Sequence, residues 1–178
     1  MLRTNTFEVP YYIGHCKDHL SIKDSLLKII DKNNGEHSQF PGYNITKTDY
    51  YLKGNDPNFE QKYISIIHPY ILKHLNECQI IKPGQEQEYF YWYNQYTKLS
   101  YHGWHDHQGI KWASIYYLEL SEDNPVTEFR NFLTQDVIRV NVKEGDIITF
   151  PGFMDHRSPP NLSGERKTII ACNLKTIY

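Results

Sequence analysis

Thiols are scarce in this chain. Cys16, Cys78 and Cys172 are odd in number, far apart and never in a Cys-x-x-Cys spacing. That excludes a disulfide framework and a thiolate metal knuckle and leaves packed, reduced thiols. An excess of charge of one sign is also lacking. Lys plus Arg total 19 against 21 for Asp plus Glu, a formal net charge of −2, so the footprint of a dedicated nucleic-acid or acidic-membrane binder is missing. No apolar run approaches the roughly 18 residues that span a bilayer, and Met1-Leu2-Arg3-Thr4-Asn5-Thr6 lacks the apolar stretch of a signal peptide. The expectation is a soluble, cytoplasmic protein with neither a membrane nor a nucleic acid as partner.

Aromatic residues are abundant instead. The 178 residues include 15 Tyr, 8 Phe and 3 Trp, more than a disordered chain holds. The length suits one core. We therefore expect a single domain over 1–178, in which 1–83 form helical support and a lid loop and 84–178 form a β core that carries the site.

Leu20, Ile22, Leu26, Leu27, Ile29 and Ile30 recur at three- and four-residue steps before Asn33-Asn34-Gly35, which predicts an amphipathic helix over 18–34. Ile66, Ile67, Tyr70, Ile71 and Leu75 predict a second over 58–78, kinked at Pro69. The tyrosine-rich stretch 40–56 between them carries turn chemistry and short extended pieces, and is long enough to act as a lid. After Gly84 the segments 88–96, 112–120, 126–132, 137–142, 146–150 and 167–174 are short and rich in aromatic and β-branched residues. Their number and spacing predict an antiparallel sandwich or jelly roll, mainly β, supported by the two helices. The alternation is too ragged to fix a register.

Three of the nine histidines fall together in Tyr101-His102-Gly103-Trp104-His105-Asp106-His107-Gln108-Gly109. On an extended strand His105 and His107 point to one face. They can therefore offer two imidazoles to one metal ion. A third ligand has to come from elsewhere, and the only later histidine is His156, just past the segment 146–150. In a jelly roll, the strand after the cluster and the strand before His156 can lie side by side. Three protein ligands with open positions mark a catalytic rather than a structural metal. His102 is odd-spaced from His105 and is expected on the opposite face. His15, His19, His37, His68 and His74 share no ligand spacing and are read as ordinary structural or surface residues.

The residues from Tyr89 to Leu174 resemble the 2-oxoglutarate- and Fe(II)-dependent dioxygenases of the double-stranded β-helix fold, in particular small prolyl-hydroxylase-like phage and bacterial members. Trp92-Tyr93-Asn94-Gln95-Tyr96 is similar to the strand before the first ligand in that family. His105-Asp106-His107 followed by Trp112-Ala113-Ser114-Ile115-Tyr116-Tyr117-Leu118 is similar to its first-ligand strand pair. Thr127-Glu128-Phe129 resembles its Gly-Thr-Glu-Phe segment, and Gly145-Asp146-Ile147-Ile148-Thr149-Phe150-Pro151 before His156 resembles the distal-ligand strand. The resemblance implies a cupin-like jelly roll that binds Fe(II) and the co-substrate 2-oxoglutarate. Arg166 stands where the family anchors the co-substrate, and Tyr93, Asn94, Tyr101 and Ser114 are further candidates to bind it.

One departure matters. The family has His-x-Asp or His-x-Glu, and here His107 takes the carboxylate's place. The metal set is then His105, His107 and His156, or, if a bulge turns Asp106 inward, Asp106 instead of His107. The leading expectation is a hydroxylase acting on a small molecule, a peptide or an amino-acid side chain, with release of succinate and CO2. The alternatives are a cupin-like three-His metalloprotein, either a dioxygenase independent of 2-oxo acids or a Zn-dependent hydrolase, and a non-enzymatic protein with incidental histidines.

Overall fold

The computed structural model describes residues 9–52, 61–131 and 133–177. Among these residues the order is β1 (Tyr12–His15), α1 (His19–Lys32), β2 (Glu36–Phe40), β3 (Tyr43–Thr48), α2 (Ile64–Glu77), β4 (Gln87–Tyr96), β5 (Tyr101–His105), β6 (Trp112–Glu119), β7 (Glu128–Arg130), β8 (Val137–Arg139), β9 (Asp146–Pro151), β10 (His156–Ser158) and β11 (Lys167–Thr176). Both helices form where the apolar spacing predicts them. The predicted start of the second, 58–60, lies outside the described residues. α2 itself runs from Ile64 with Pro69 inside it. None of the described helices is long and apolar enough to cross a membrane.

All six predicted strands form. The segment 126–132 contracts to β7, Phe132 lying outside the described residues, and 137–142 contracts to β8. The stretch 40–56 is less loop-like than expected. It contains most of the β2–β3 hairpin, turned at Gly42 with φ +102. β1, β5 and β10 have three to five residues each, too few to show a period in the sequence.

The strands pair antiparallel in the order β1-β9-β6-β11-β4-β3-β5-β10-β7-β8, with β2 on β3. Strands from the first 83 residues are thus built into the sheet. β9 and β7 stand far apart in that order, yet the Phe129 and Phe150 rings meet at 4.9 Å. The sheet therefore curls into a half-barrel.

Period-two alternation sorts the side chains of the curled sheet. Tyr91, Tyr93, Tyr116, Leu118, Ile170 and Cys172 point outward and pack under the helices with Leu26, Ile30, Ile67 and Ile71. Tyr96, Ala113, Ile115, Tyr117, Phe150 and Ile169 point inward and form a second core with Phe129. Buried Asp49 ties the segment after β3 to this frame. It accepts hydrogen bonds from the Tyr93 backbone N–H (2.8 Å), the Tyr63 hydroxyl (2.6 Å) and the Gln61 amide (2.8 Å).

Candidate metal centre

Two short strands on the concave face bring the distant histidines together. His105 ends β5, His156 begins β10, and the two are Cα partners. His107 lies just beyond β5, where its backbone N–H donates to the Gly152 carbonyl at 2.8 Å. The ligand nitrogens of His105, His107 and His156 all lie within 4.8 Å of one another. β6 pairs with β9 alongside them.

The hydrogen bonds set the tautomers. His105 Nδ1–H donates to the Gly103 carbonyl at 2.8 Å, and His156 Nδ1–H donates to the Met154 carbonyl at 2.9 Å. Their Nε2 lone pairs are left free to bind a cation. His107 Nε2 stands 3.2 Å from His156 Nε2, a convergence of nitrogens that a divalent cation suits. Burial favours the neutral form of all three imidazoles, and repulsion from neighbouring imidazoles adds to it at His107 and His156. His107 is pushed down to about 4, mainly by burial and then by His105, and His105 and His156 are also lowered, mainly by burial. Neutral imidazole is the form a metal needs.

Asp106 is exposed and is not part of this group. His102 departs from expectation. Its ring stacks on His105 with centroids 3.8 Å apart and planes at 16°. The β5–β10 register explains this: His105 faces His156 but His102 faces Ser158, so β5 carries one extra residue and the facing reverses. Gly103 permits it, since a Cβ there would sit 2.4 Å from the Gly42 carbonyl oxygen. Burial pushes His102 down to about 3.

Of the residues expected around the co-substrate, Asn94 and Ser114 line the cavity at the histidines. Tyr93 does not, because odd positions of β4 face the helices, and it belongs to the outer core. Tyr101 pairs with Asn44 on β3 and lines neither of the two cavities described below. Arg166 is also placed elsewhere. Its guanidinium binds Glu119 through Nε (2.8 Å) and Nη2 (3.0 Å), and Asp31 of α1 through Nη1 (2.9 Å). Arg166→Ala should therefore leave ligand binding at the histidines unchanged and lower stability by about 1 kcal/mol, the scale of a half-exposed ion-pair network, as read by urea denaturation.

Two cations line the inner cavity instead: Arg157, which is ion-paired with Glu128, and the fully buried Lys167. In β11 the positions 167, 169, 171 and 173 face the histidines, so Arg166 and Lys167 fall on opposite sides of the strand. Lys167 is 2% exposed, with its Nζ 4.5 Å from the Tyr96 ring centroid. It donates to the Pro125 carbonyl and the Ser158 hydroxyl, both neutral. Among the described residues no carboxylate pairs with it. Burial pushes it down to about 7, against roughly 10.4 in an unfolded chain. Between these values the unfolded chain holds the proton and the folded one does not, so stability rises with pH across that window. Lys167→Met should thus exceed the ligand-free wild type in stability at pH 6.5, by a few kcal/mol on the order implied by that shift. The gap should close toward pH 10 in urea titrations.

The inner cavity is narrow, about 40 Å³, and shares Trp92, Asn94, His102, His105, His107 and Asn173 with a wide outer cavity of about 820 Å³. Tyr43, Tyr50 and Tyr51 wall the outer one. The segment expected to form a lid therefore does border the site over its described part. Within the inner cavity Asn94 Oδ1 is buried without a hydrogen-bond partner among the described residues, while its Nδ2 faces the Tyr96 hydroxyl at 3.2 Å.

No known family's sequence model matches this chain, and no curated protein matches it in sequence. Its fold matches solved structures closely. A prolyl-4-hydroxylase from Pseudomonas putida aligns with a TM-score of 0.65 and 11% identity, over 96% of this chain and 94% of that one. The viral collagen prolyl hydroxylase of Paramecium bursaria Chlorella virus-1, solved with 2-oxoglutarate, aligns at 0.64 and 16%, over 94% and 96%. A 2-oxoglutarate-Fe(II) oxygenase family member from Burkholderia pseudomallei aligns at 0.67 and 12%, over 93% and 85%. At these identities the likeness is one of fold.

Proposed function

We propose that this chain is a double-stranded β-helix oxygenase that uses Fe(II) and 2-oxoglutarate, with His105, His107 and His156 as the metal ligands and Lys167 as the anchor of the co-substrate. The observation that carries the reading is the buried Lys167 ammonium, without a carboxylate partner among the described residues, in the same narrow cavity as three converging neutral imidazoles. A buried cation without an anion is unfavourable. A dicarboxylate with one end at the metal and the other at Lys167 supplies that anion.

The residues fit the group on two further counts. Three nitrogen donors on one side suit a divalent transition metal and leave positions open for exogenous ligands. The orphaned Asn94 oxygen also finds a reason. With its amide in the opposite orientation, Oδ1 accepts the Tyr96 hydroxyl proton and Nδ2–H donates into the cavity, where an anion would sit.

Fe(II) held there would supply, with 2-oxoglutarate and O2 as co-substrates, the oxidative decarboxylation to succinate and CO2, in which one oxygen atom of O2 enters succinate and the other oxidises a substrate C–H bond. The chain's part is to hold and to exclude. The carbonyls of Gly103 and Met154 keep two imidazoles in the Nε2-free tautomer, and Lys167 orients the remote carboxylate. Because the inner cavity is narrow, binding involves adjustment at Lys167, whose present acceptors are neutral. The outer cavity receives the substrate, a small molecule, a peptide or an amino-acid side chain, under the tyrosines of 43–51. Fold alone does not fix which.

Three imidazoles without a carboxylate are also a donor set for Zn(II), and His107 is the observation that favours that second reading. Lys167 favours the first reading, which requires a cation for the remote carboxylate of its co-substrate, whereas the second requires none. The experiment is anaerobic titration of the metal-free chain with Fe(II), then 2-oxoglutarate. The expected result is the visible charge-transfer band of a chelated 2-oxo acid. Iron binding without that band sinks the 2-oxoglutarate reading in favour of the second, and no stoichiometric metal uptake sinks both.

A further inference from the structure

Trp104 lies beside the metal ligands in sequence but lines neither cavity. Two guanidiniums lie over its indole, Arg130 at 4.6 Å and Arg157 at 4.5 Å from the ring centroid. Each guanidinium is fixed in turn. Arg130 Nε donates to Asp155 at 2.7 Å, and Arg157 Nε donates to Glu128 at 2.7 Å. These contacts therefore span β5, β10 and β7. Trp104 adjoins His105, and both Asp155 and Arg157 adjoin His156.

That placement matters because the backbone does little to set the distance between those two ligands. β10 has three residues. Its pairing with β5 rests on two positions, His156 with His105 and Ser158 with His102, and a bulge separates them. A ladder so short and irregular holds β5 to β10 at few points, and guanidinium–indole contacts with ion-paired partners add to them.

We propose that Trp104 is a positioning residue for the metal centre: in contact with both Arg130 and Arg157, it holds β5 against β10 and so sets the geometry between His105 and His156. The proposal rests on the metal reading above. Supporting groups of this kind act on a metal site through its ligands, and their loss costs roughly 10- to 100-fold in metal affinity.

The test uses Co(II), whose visible d–d absorption reports coordination geometry, with the full chain and the variants Trp104→Leu, Trp104→Tyr, Arg130→Met and Arg157→Met. Trp104→Leu should bind Co(II) about 10- to 100-fold more weakly and with a shifted band, while Trp104→Tyr, which keeps an aromatic face, recovers both. A purely stabilising role would lower the unfolding midpoint but leave the band in place. A folded Trp104→Leu with wild-type affinity and an unchanged spectrum overturns the proposal. Should Trp104→Leu not fold, Arg157→Met and Arg130→Met decide together on the same two readings, because Arg157 also lines the inner cavity and Arg130 lines neither. A wild-type chain that takes up no Co(II) overturns the metal reading itself and this inference with it.

Discussion

Lys167→Met is expected to weaken 2-oxoglutarate binding by about 100- to 1,000-fold while metal uptake stays at one equivalent. Removing one partner of a buried, hydrogen-bonded charge pair costs roughly 2–5 kcal/mol, and Lys167 is buried beyond the reach of compensating solvent. Lys167→Arg should recover little, because the cavity is narrow, about 40 Å³, and a planar guanidinium does not fit a space shaped for an ammonium. The binding should also depend on pH in a defined direction. The free site holds Lys167 down to about 7 by burial, and an arriving carboxylate favours the protonated form. Affinity should then fall as the pH rises above 7, approaching tenfold per unit, and binding at pH 8 should take up a proton. Anaerobic calorimetry in buffers of different ionisation enthalpy reads both effects. If Lys167→Met binds 2-oxoglutarate like the wild type, or Arg166→Ala loses it, the anchor has been misassigned.

The placement of Arg166 and Lys167 shows what is legible in the sequence. The histidines converge as their spacing predicts, because His105 and His156 are strand partners. Helix positions were readable from 3.6-residue periodicity, and the long strands from their aromatic and β-branched content. The resemblance points to Arg166 by its distance along the chain from His156. Which residue faces the cavity depends on strand parity, which is also in the sequence: Lys167 shares its facing with Ile169, Ala171 and Asn173. Tyr93 and Asn94 separate on β4 by the same rule. His102 required more. Its return to the cavity face depends on one extra residue between paired positions, for which Gly103 in an otherwise extended run was the available signal. The hairpin β2–β3 and the short strands β1, β5 and β10 were hidden for another reason, since their stability comes from pairing with distant partners rather than from any local pattern.

His156→Ala should abolish stoichiometric Fe(II) binding, and His105→Ala should do the same, because each removes one of three converging donors. The more informative variants lie between them in sequence. Asp106→Asn should leave metal affinity unchanged, as the carboxylate is exposed and stands outside the ligand group. If this variant loses metal, a carboxylate-containing set replaces the three-imidazole one. His107→Asp should keep the metal, since carboxylate is a competent ligand for iron, but should change the charge around it. Three neutral imidazoles leave the full +2 of a divalent ion facing the co-substrate, whereas two imidazoles and a carboxylate leave +1. At an effective dielectric of about 20, one unit of charge at a few ångströms is worth several kcal/mol before solvent and counter-charges reduce it. His107→Asp should therefore weaken 2-oxoglutarate binding by about tenfold, on the order of 1.4 kcal/mol, and make that weakening less pronounced at high salt. Metal analysis, followed by titration of the loaded variant with 2-oxoglutarate, distinguishes the outcomes. Unchanged or tighter co-substrate binding in His107→Asp means that the third imidazole serves some end other than the charge of the centre.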